Sequence, residues 1–477
     1  MSAPTLSPTT VEPRARPSRR RWAVLGVVLA ADVLDLVDAT ITNVAAPTIA
    51  RDLGGGSGLV QWLGASYALA LGVLLVVGGR LGDKYGRRRL FLAGLTGFTL
   101  ASVACGLAQG PEFLVAARLV QGAFGALLIP QGFGILGAVF PREEIGKAFS
   151  FFGPVMGLSA VGGPILAGFL IDANLAGLGW RAMFLINIVI GGAALVAALR
   201  LLPKDAGDAA TSVDGIGSGL LAGAMLGLLG GLIEGSAHGW TTIPLLLIAG
   251  GLAFFALFCR RQRTAANPLI QPSLLRNRGF TSGLILGIAF FAAISGLLYV
   301  FSLFLQDGLG FSPLRAALGI APVAAGIVIS SIACYQLIGR FGRRLVVAGL
   351  LITLAGTGWL LALVLNSGTD LGSWALAAPA LVVGIGMGTC FGTVYDVTIG
   401  DIAPDEAGSA GGSLGAVQQL ANAIGAAAVT TVYFHTLGAA HDTAHATVVS
   451  LTVVIAVGAL CLGLVRLLPR KAQPQDH

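Results

Sequence analysis

The sequence predicts an all-α integral membrane protein with fourteen transmembrane helices, arranged as two six-helix bundles and two further helices inserted between them. Three observations predict it. Of the 477 residues 55% are hydrophobic, only 11% are charged and 70 are glycine, with a mean hydropathy of +0.86, whereas a soluble domain carries about 25% charged residues. Apolar stretches of about 20 residues, the length that crosses a bilayer, recur along the whole chain. Charge placement supplies the third: 25 of the 29 Lys and Arg fall in alternate connections on one side, only Arg51, Arg181 and Arg315 fall on the other, and Arg118 lies inside a span. The positive-inside bias then places the basic side and both termini in the cytoplasm.

Taken in order, residues 1–21 form a Pro-, Thr- and Arg-rich cytoplasmic tail ending in Arg19-Arg20-Arg21. Asp32, Asp35 and Asp38 interrupt the apolar core that a cleavable export signal needs, so the first helix is expected to stay. The first bundle, 22–202, holds spans at about 22–44, 59–80, 89–109, 112–133, 148–170 and 181–202. A linker and two inserted helices occupy 203–262, with spans at about 214–235 and 242–259. A cytoplasmic linker, 263–279, leads to the second bundle, 280–467, with spans at about 280–305, 314–338, 345–366, 374–399, 411–434 and 447–467. Residues 468–477 are a second cytoplasmic tail. The division rests on a repeat: Tyr85-Gly86-Arg87-Arg88 between spans two and three returns as Phe341-Gly342-Arg343-Arg344 between spans ten and eleven. Those loops are equivalent only if spans seven and eight are an insertion.

Glycines recur at four-residue spacing in span seven (Gly215, Gly219, Gly223, Gly227, Gly231, Gly235), in Gly153-xxx-Gly157 and in Gly384-xxx-Gly388-xxx-Gly392. Such seams let helix backbones approach closely. Static packing and a sliding surface both fit them.

Ionisable groups inside the membrane carry the functional reading. Each costs about 2.5–3.5 kcal/mol near the bilayer centre on insertion scales, so Asp32, Asp35 and Asp38 on span one cannot face lipid. At 100° per residue they share one broad face, to which Asn43 returns, and that face is expected to line an enclosed, wet cavity. Counting from the outer ends, Asp38 on the outgoing first span and Arg118 on the incoming fourth reach similar depth, which makes Arg118 the candidate partner. A permanent ion pair and one that breaks as protons or substrate bind both fit. Asp396, beside Tyr395 late in span twelve, suits a cytoplasmic gate or a cavity wall. Glu234 and Asp307 sit at outer helix ends, where snorkelling or capping accounts for them. Phe291, Tyr299, Phe301 and Phe304 on span nine fit an aromatic cavity wall or plain packing.

Several function classes drop out. The cysteines Cys105, Cys259, Cys334, Cys390 and Cys461 lie in apolar stretches without metal or disulfide spacing. His441-xxx-His445 has the helical spacing of a metal pair but no companion acids beyond Asp442, so no metal is expected. No GxxxxGK[ST] motif points to ATP, no loop is long enough for a catalytic domain, and the scattered basic clusters do not form a nucleic-acid stripe. The chain is therefore not expected to be an enzyme.

Gly79-Arg80-Leu81-Gly82-Asp83-Lys84-Tyr85-Gly86-Arg87-Arg88-Arg89 resembles the loop signature of the major facilitator superfamily, and several further motifs resemble its fourteen-helix drug:proton antiporter branch. These are Asp38-Ala39-Thr40-Ile41-Thr42-Asn43-Val44-Ala45-Ala46-Pro47, Arg118-Leu119-Val120-Gln121-Gly122, and Gly153-Pro154 through Gly162-Gly163-Pro164-Ile165-Leu166-Ala167-Gly168. Gln61-Trp62, Trp180-Arg181 with Phe184 and Asn187, and Glu234-Gly235 followed by Gly239-Trp240 add to the likeness. The resemblance implies the major facilitator fold and a cytoplasmic latch built from Asp83, Arg87 and Arg88. It also implies a proton-coupling role for Arg118 and an exporter's hinge at Gly153, Pro154, Gly163 and Pro164. Departures are Gly339 in place of the second loop's aspartate, Ala46 for leucine, Ala167 for glycine and Val189 for proline.

The expected protein is a plasma-membrane exporter, monomeric, without cofactor and without nucleic-acid partner. It exchanges protons, the coupling ion, for a lipophilic, cationic drug or antibiotic-like metabolite, with Asp32, Asp35, Asp38, Asn43 and Arg118 handling proton and substrate. Its other partners are membrane lipids. The alternatives are a proton-coupled importer of a small nutrient and a receptor or scaffold that transports nothing.

Overall fold

The computed structural model describes residues 19–469 apart from 175–176, 209–213, 335–336, 338–340, 400–401, 404–405 and 438–441, and leaves some side chains within helices undescribed. The regular structure of the described residues is all helical, because a backbone crossing lipid must satisfy its polar groups internally. In chain order the helices are α1 (Arg19–Leu53), α2 (Gly56–Tyr85), α3 (Arg87–Gly106), α4 (Pro111–Val139), the short α5 (Arg142–Phe149), α6 (Phe152–Ala173) and α7 (Arg181–Leu201). There follow α8 (Gly215–His238), α9 (Thr242–Thr264), the short α10 (Pro272–Arg276), α11 (Arg278–Leu303), α12 (Pro313–Cys334), α13 (Arg343–Ser367), α14 (Ser373–Ile399), α15 (Ala407–Leu437) and α16 (Thr443–Leu464). Several breaks between helices fall at glycine or proline, among them Gly54-Gly55, Gly86, Pro141 and Gly239. Gly86, at φ 96°, is the only residue between α2 and α3, a backbone state that side-chain-bearing residues avoid.

Among the described residues twelve helices are long and apolar enough to cross a membrane, two fewer than the fourteen that the sequence predicts. The two long helices outside that set are α1 and α6. In α1 the three aspartates break the apolar run, and in α6 several side chains lie outside the described residues.

One neighbour scheme occurs twice. Helix α2 packs on α4, α3 on α4 and α7, and α1 on α6 and α7; in the later part α12 packs on α14, α13 on α14 and α16, and α11 on α15 and α16. The groups meet along α2 with α15, α4 with α15, and α6 with α12, while α8 and α9 pair with each other and α8 rests on both α2 and α15. We call the end bearing the α2–α3 loop the basic end and the opposite one the far end.

The glycine seams resolve into helix packing. A Cβ on Gly227 would lie 2.7 Å from Gly251, and one on Gly231 2.8 Å from the Pro244 carbonyl, so the α8 seam faces α9. Gly157 faces Ile327 of α12, and a Cβ on Gly388 would lie 2.5 Å from the Ile327 carbonyl oxygen. Of the four aromatic residues proposed for a cavity wall, Phe291, Phe301 and Phe304 are core, whereas Tyr299 is exposed on the outer surface.

At the far end, past the apolar part of α1, Asp52 ties α1 to α7. Its carboxylate accepts from Trp180 Nε1 at 2.9 Å and Arg181 Nη1 at 3.0 Å, and these two bonds, Trp180 first, hold its pKa below the usual carboxylate value. A depressed folded pKa contributes stability above the unfolded value of about 3.9 and loses it as pH falls through the folded one. Asp52→Asn is therefore expected to lower the thermal midpoint in detergent at pH 6, the difference shrinking toward pH 3. An equal difference at both values would refute the linkage.

Candidate functional site

Four helices bring polar side chains together in the middle of the first group. Asp38 of α1 and Arg118 of α4 form an ion pair, as their matched depths predict, and both are buried, with side chains 1% and 0% exposed. The geometry extends well beyond that pair. Asp38 Oδ1 also accepts from Gln121 Nε2 at 2.9 Å and Asn187 Nδ2 at 2.7 Å. Both amides in turn donate to Ser102 Oγ, at 2.6 and 2.9 Å. Arg118 donates to Gln121 Oε1 at 2.7 Å and to the Leu63 carbonyl at 3.1 Å, and its guanidinium carbon sits 4.5 Å from the Tyr67 ring centre. Charges can stay in a low-dielectric interior only when paired and hydrogen-bonded in this way.

Asp35, one turn earlier on α1, has different surroundings. Its carboxylate accepts from the Tyr67 hydroxyl, a neutral donor, and is buried. Gly125 leaves it room: a Cβ there would lie 2.9 Å from Tyr67 Oη and 3.3 Å from Asp35 Oδ1. Of the three aspartates only Asp32, a further turn toward the basic end, keeps appreciable exposure. Asn43 lies on α1, but its side chain is outside the described residues.

The sequence-predicted latch residues gather at the basic end. Asp83 Oδ1 accepts from Arg87 Nη2 at 3.1 Å, and Arg87 Nη1 donates to the Gly134 carbonyl at 2.8 Å. The start of α15 presses against this turn: a Cβ on Gly408 would lie 3.0 Å from Asp83 Oδ1, and one on Gly79 2.6 Å from the Gly408 carbonyl. Arg88 points elsewhere, to the Leu199 carbonyl at the end of α7, 2.7 Å away. Asp396 lies against α5, where a Cβ on Gly146 would come within 2.8 Å of its carboxylate. Beside it Phe133, Phe149, Phe152 and Tyr395, from four different helices, pack together with ring centres 5.4–6.4 Å apart. This aromatic plug and the glycine seam bring the two groups into contact at the basic end.

The predicted hinge residues sit where α6 touches both groups. Gly153 abuts Ser331 of α12, and Gly163 abuts Thr40 of α1, two residues from Asp38. Pro154 is half-buried, and the Pro164 side chain is outside the described residues. His441 and Gly339 also lie outside them. No group of three or more metal-ligating side chains occurs among the described residues.

Sequence reasoning missed Ser102 and Tyr67 as site residues and gave Gln121 and Asn187 only a family likeness. A signal existed for two of them. Gln121, three residues after Arg118, shares its helix face, and Asn187 is an amide in an otherwise apolar run.

Comparison with known proteins agrees with this architecture. Residues 28–426 match the model of the Major Facilitator Superfamily. The probable actinorhodin transporter of Streptomyces coelicolor is 44% identical over 88% of this chain and 74% of its own. The tetracenomycin C resistance and export protein of Streptomyces glaucescens is 33% identical, covering 86% and 75%. Among solved structures, the proton:xylose symporter XylE superposes with a TM-score of 0.67 at 16% identity, over 94% of this chain and 95% of that one, a likeness of fold.

Proposed function

This chain belongs to the major facilitator superfamily, a family of transporters and not of enzymes, and from that premise we propose that it exports a lipophilic, cationic antibiotic-like compound in exchange for protons. In this reading α1 and α6 also cross the membrane, giving fourteen spans. The two repeated groups are six-helix bundles with α8 and α9 inserted, the basic end and both termini are cytoplasmic, and the monomer works in the plasma membrane without a cofactor.

The contrast between the two neighbouring aspartates is the observation that carries the proposal. Asp38 accepts from three side chains, one of them a guanidinium, so its anion is fully compensated. Asp35 has the neutral Tyr67 donor and is the group that takes up a proton, with Asp32 as its link to water. Proton and cationic substrate compete for this negative charge, which is ordinary linkage between two ligands. Protons arriving from outside release the substrate there and bias the bundles to reopen inward, and loss of the proton to the cytoplasm restores binding. The relative named for tetracenomycin C resistance and export supports the outward direction and an antibiotic-like cargo.

Inverted vesicles with an acid interior, given a fluorescent organic cation, test this. Asp35→Asn is expected to lose at least about 90% of proton-driven uptake while keeping dye exchange that needs no net proton movement. Full proton-driven uptake by Asp35→Asn would overturn the assignment. Uptake in right-side-out vesicles along the inward proton gradient would mark an importer instead.

A further inference from the structure

Helix α3 begins without a cap of its own. The residue before it is Gly86, which has no side chain to accept from the first free N–H groups, a task usually done by Ser, Thr, Asp or Asn at that place. The acceptor comes from more than a hundred residues away. The Asp205 carboxylate takes the Arg87 backbone N–H on Oδ2 and the Arg88 backbone N–H on Oδ1, the latter at 3.0 Å. A negative group there also complements the helix dipole and the following arginines.

Asp205 belongs to the connector that leaves α7, and this connector lies along the α2–α3 turn. The Asp208 N–H donates to the Asp83 carbonyl at 2.9 Å. Gly207, at φ +68°, runs so close that a Cβ on it would lie 2.5 Å from both the Gly86 nitrogen and the Lys84 carbonyl. The turn held in this way carries the Asp83–Arg87 pair and receives the start of α15. The connector then leads to α8, whose first turn is anchored by Asp214 to Arg261 of α9 at 3.0 Å. Helix α8 in turn lies across the α2/α15 seam, with Leu229 placed where a Cβ on Gly72 would come within 2.8 Å of it, and the α8–α9 loop's Trp240 Nε1 donating to Thr431 of α15 at 2.6 Å.

We propose that residues 203–208 are a strap through which the inserted helix pair holds the gate loop, and that Asp205 is its positioning residue. The strap stabilises the state in which the basic end is closed, so the inserted pair biases alternating access instead of filling space at the periphery. The inference rests on alternating access between the two groups and not on which ion or cargo is carried.

The test uses the full-length protein with spin labels at Arg89→Cys and Phe341→Cys, which report the separation of the groups at the basic end whatever the substrate. Asp205→Ala is expected to lower the ratio of short to long label distances about tenfold, the size of a lost cap of about 1.4 kcal/mol. Asp205→Asn, which keeps one acceptor oxygen, should recover most of that ratio. Gly207→Val, which pushes the strap away without touching the carboxylate, should act like Asp205→Ala, and Lys204→Ala should match the parent. Two results overturn the proposal: unchanged distance distributions in both Asp205→Ala and Gly207→Val, or a lowered thermal midpoint with an unchanged distribution, which would make Asp205 a cap of local stability only. Failure of proton coupling in vesicles with the strap effect intact would sink the transport reading and leave this one standing.

Discussion

Arg118→Ala is expected to abolish proton-driven transport and to destabilise the protein by about 3–5 kcal/mol, the usual consequence of leaving one member of a buried ion pair without its partner. Removing the guanidinium strands Asp38, 2% exposed, with only two amide donors, and also frees the Leu63 carbonyl and Gln121 Oε1. Arg118→Lys should not rescue it fully. A single ammonium cannot reproduce the planar fork that reaches Asp38, Gln121 and Leu63 together. The informative comparison is the double variant Asp38→Asn/Arg118→Gln. With both charges gone its thermal midpoint should recover much of the loss while transport stays absent, so the cycle separates folding from function. Arg118→Ala with parental stability and turnover would remove the pair from both roles.

The second large effect is expected at the seam between α2 and α15. A Cβ on Gly79 would lie 2.6 Å from the Gly408 carbonyl oxygen and 3.1 Å from its carbon. Those are backbone atoms, which cannot rotate away as a side chain does. Gly79→Val therefore wedges the basic end open. Overpacking costs about 1–3 kcal/mol, and here the cost falls on the closed state alone, so the closed-to-open ratio should drop by about 5–150-fold and turnover with it. Label distances across the basic end, with dye uptake in vesicles, measure both. The contrasting site is Gly425, where a Cβ would strike the Ala292 carbonyl within the second group. Gly425→Val should impair folding itself and reduce the yield of intact protein. Normal transport by Gly79→Val would show that the seam does not need to close.

Much of the site was legible along α1 and α4 and little of it across helices. Helical periodicity places Asp32, Asp35 and Asp38 on one face, and counting from the outer span ends brings Arg118 level with Asp38; both are properties of single helices with known rise and twist. Tyr67 beside Asp35, and Ser102 joining Gln121 to Asn187, depend on how helices rotate about their own axes, which a list of apolar runs does not specify. The latch is a similar case. Asp83 and Arg87 are one turn apart and pair locally, but the same motif's Arg88 turns to α7, and the aromatic plug draws its rings from four helices.

From its sequence alone this protein is determined to be a multi-pass helical membrane protein with an internal repeat and acidic groups kept from lipid, one of them at matched depth to an arginine. Those features follow from the cost of exposing charge and unpaired backbone to lipid, which acts on each segment separately. Only the tertiary structure decided which aspartate is saturated by donors, which glycines face a neighbouring backbone, and that a carboxylate at position 205 completes the helix begun at 87. Each of these is a contact between segments distant in sequence, set by packing that no single segment encodes.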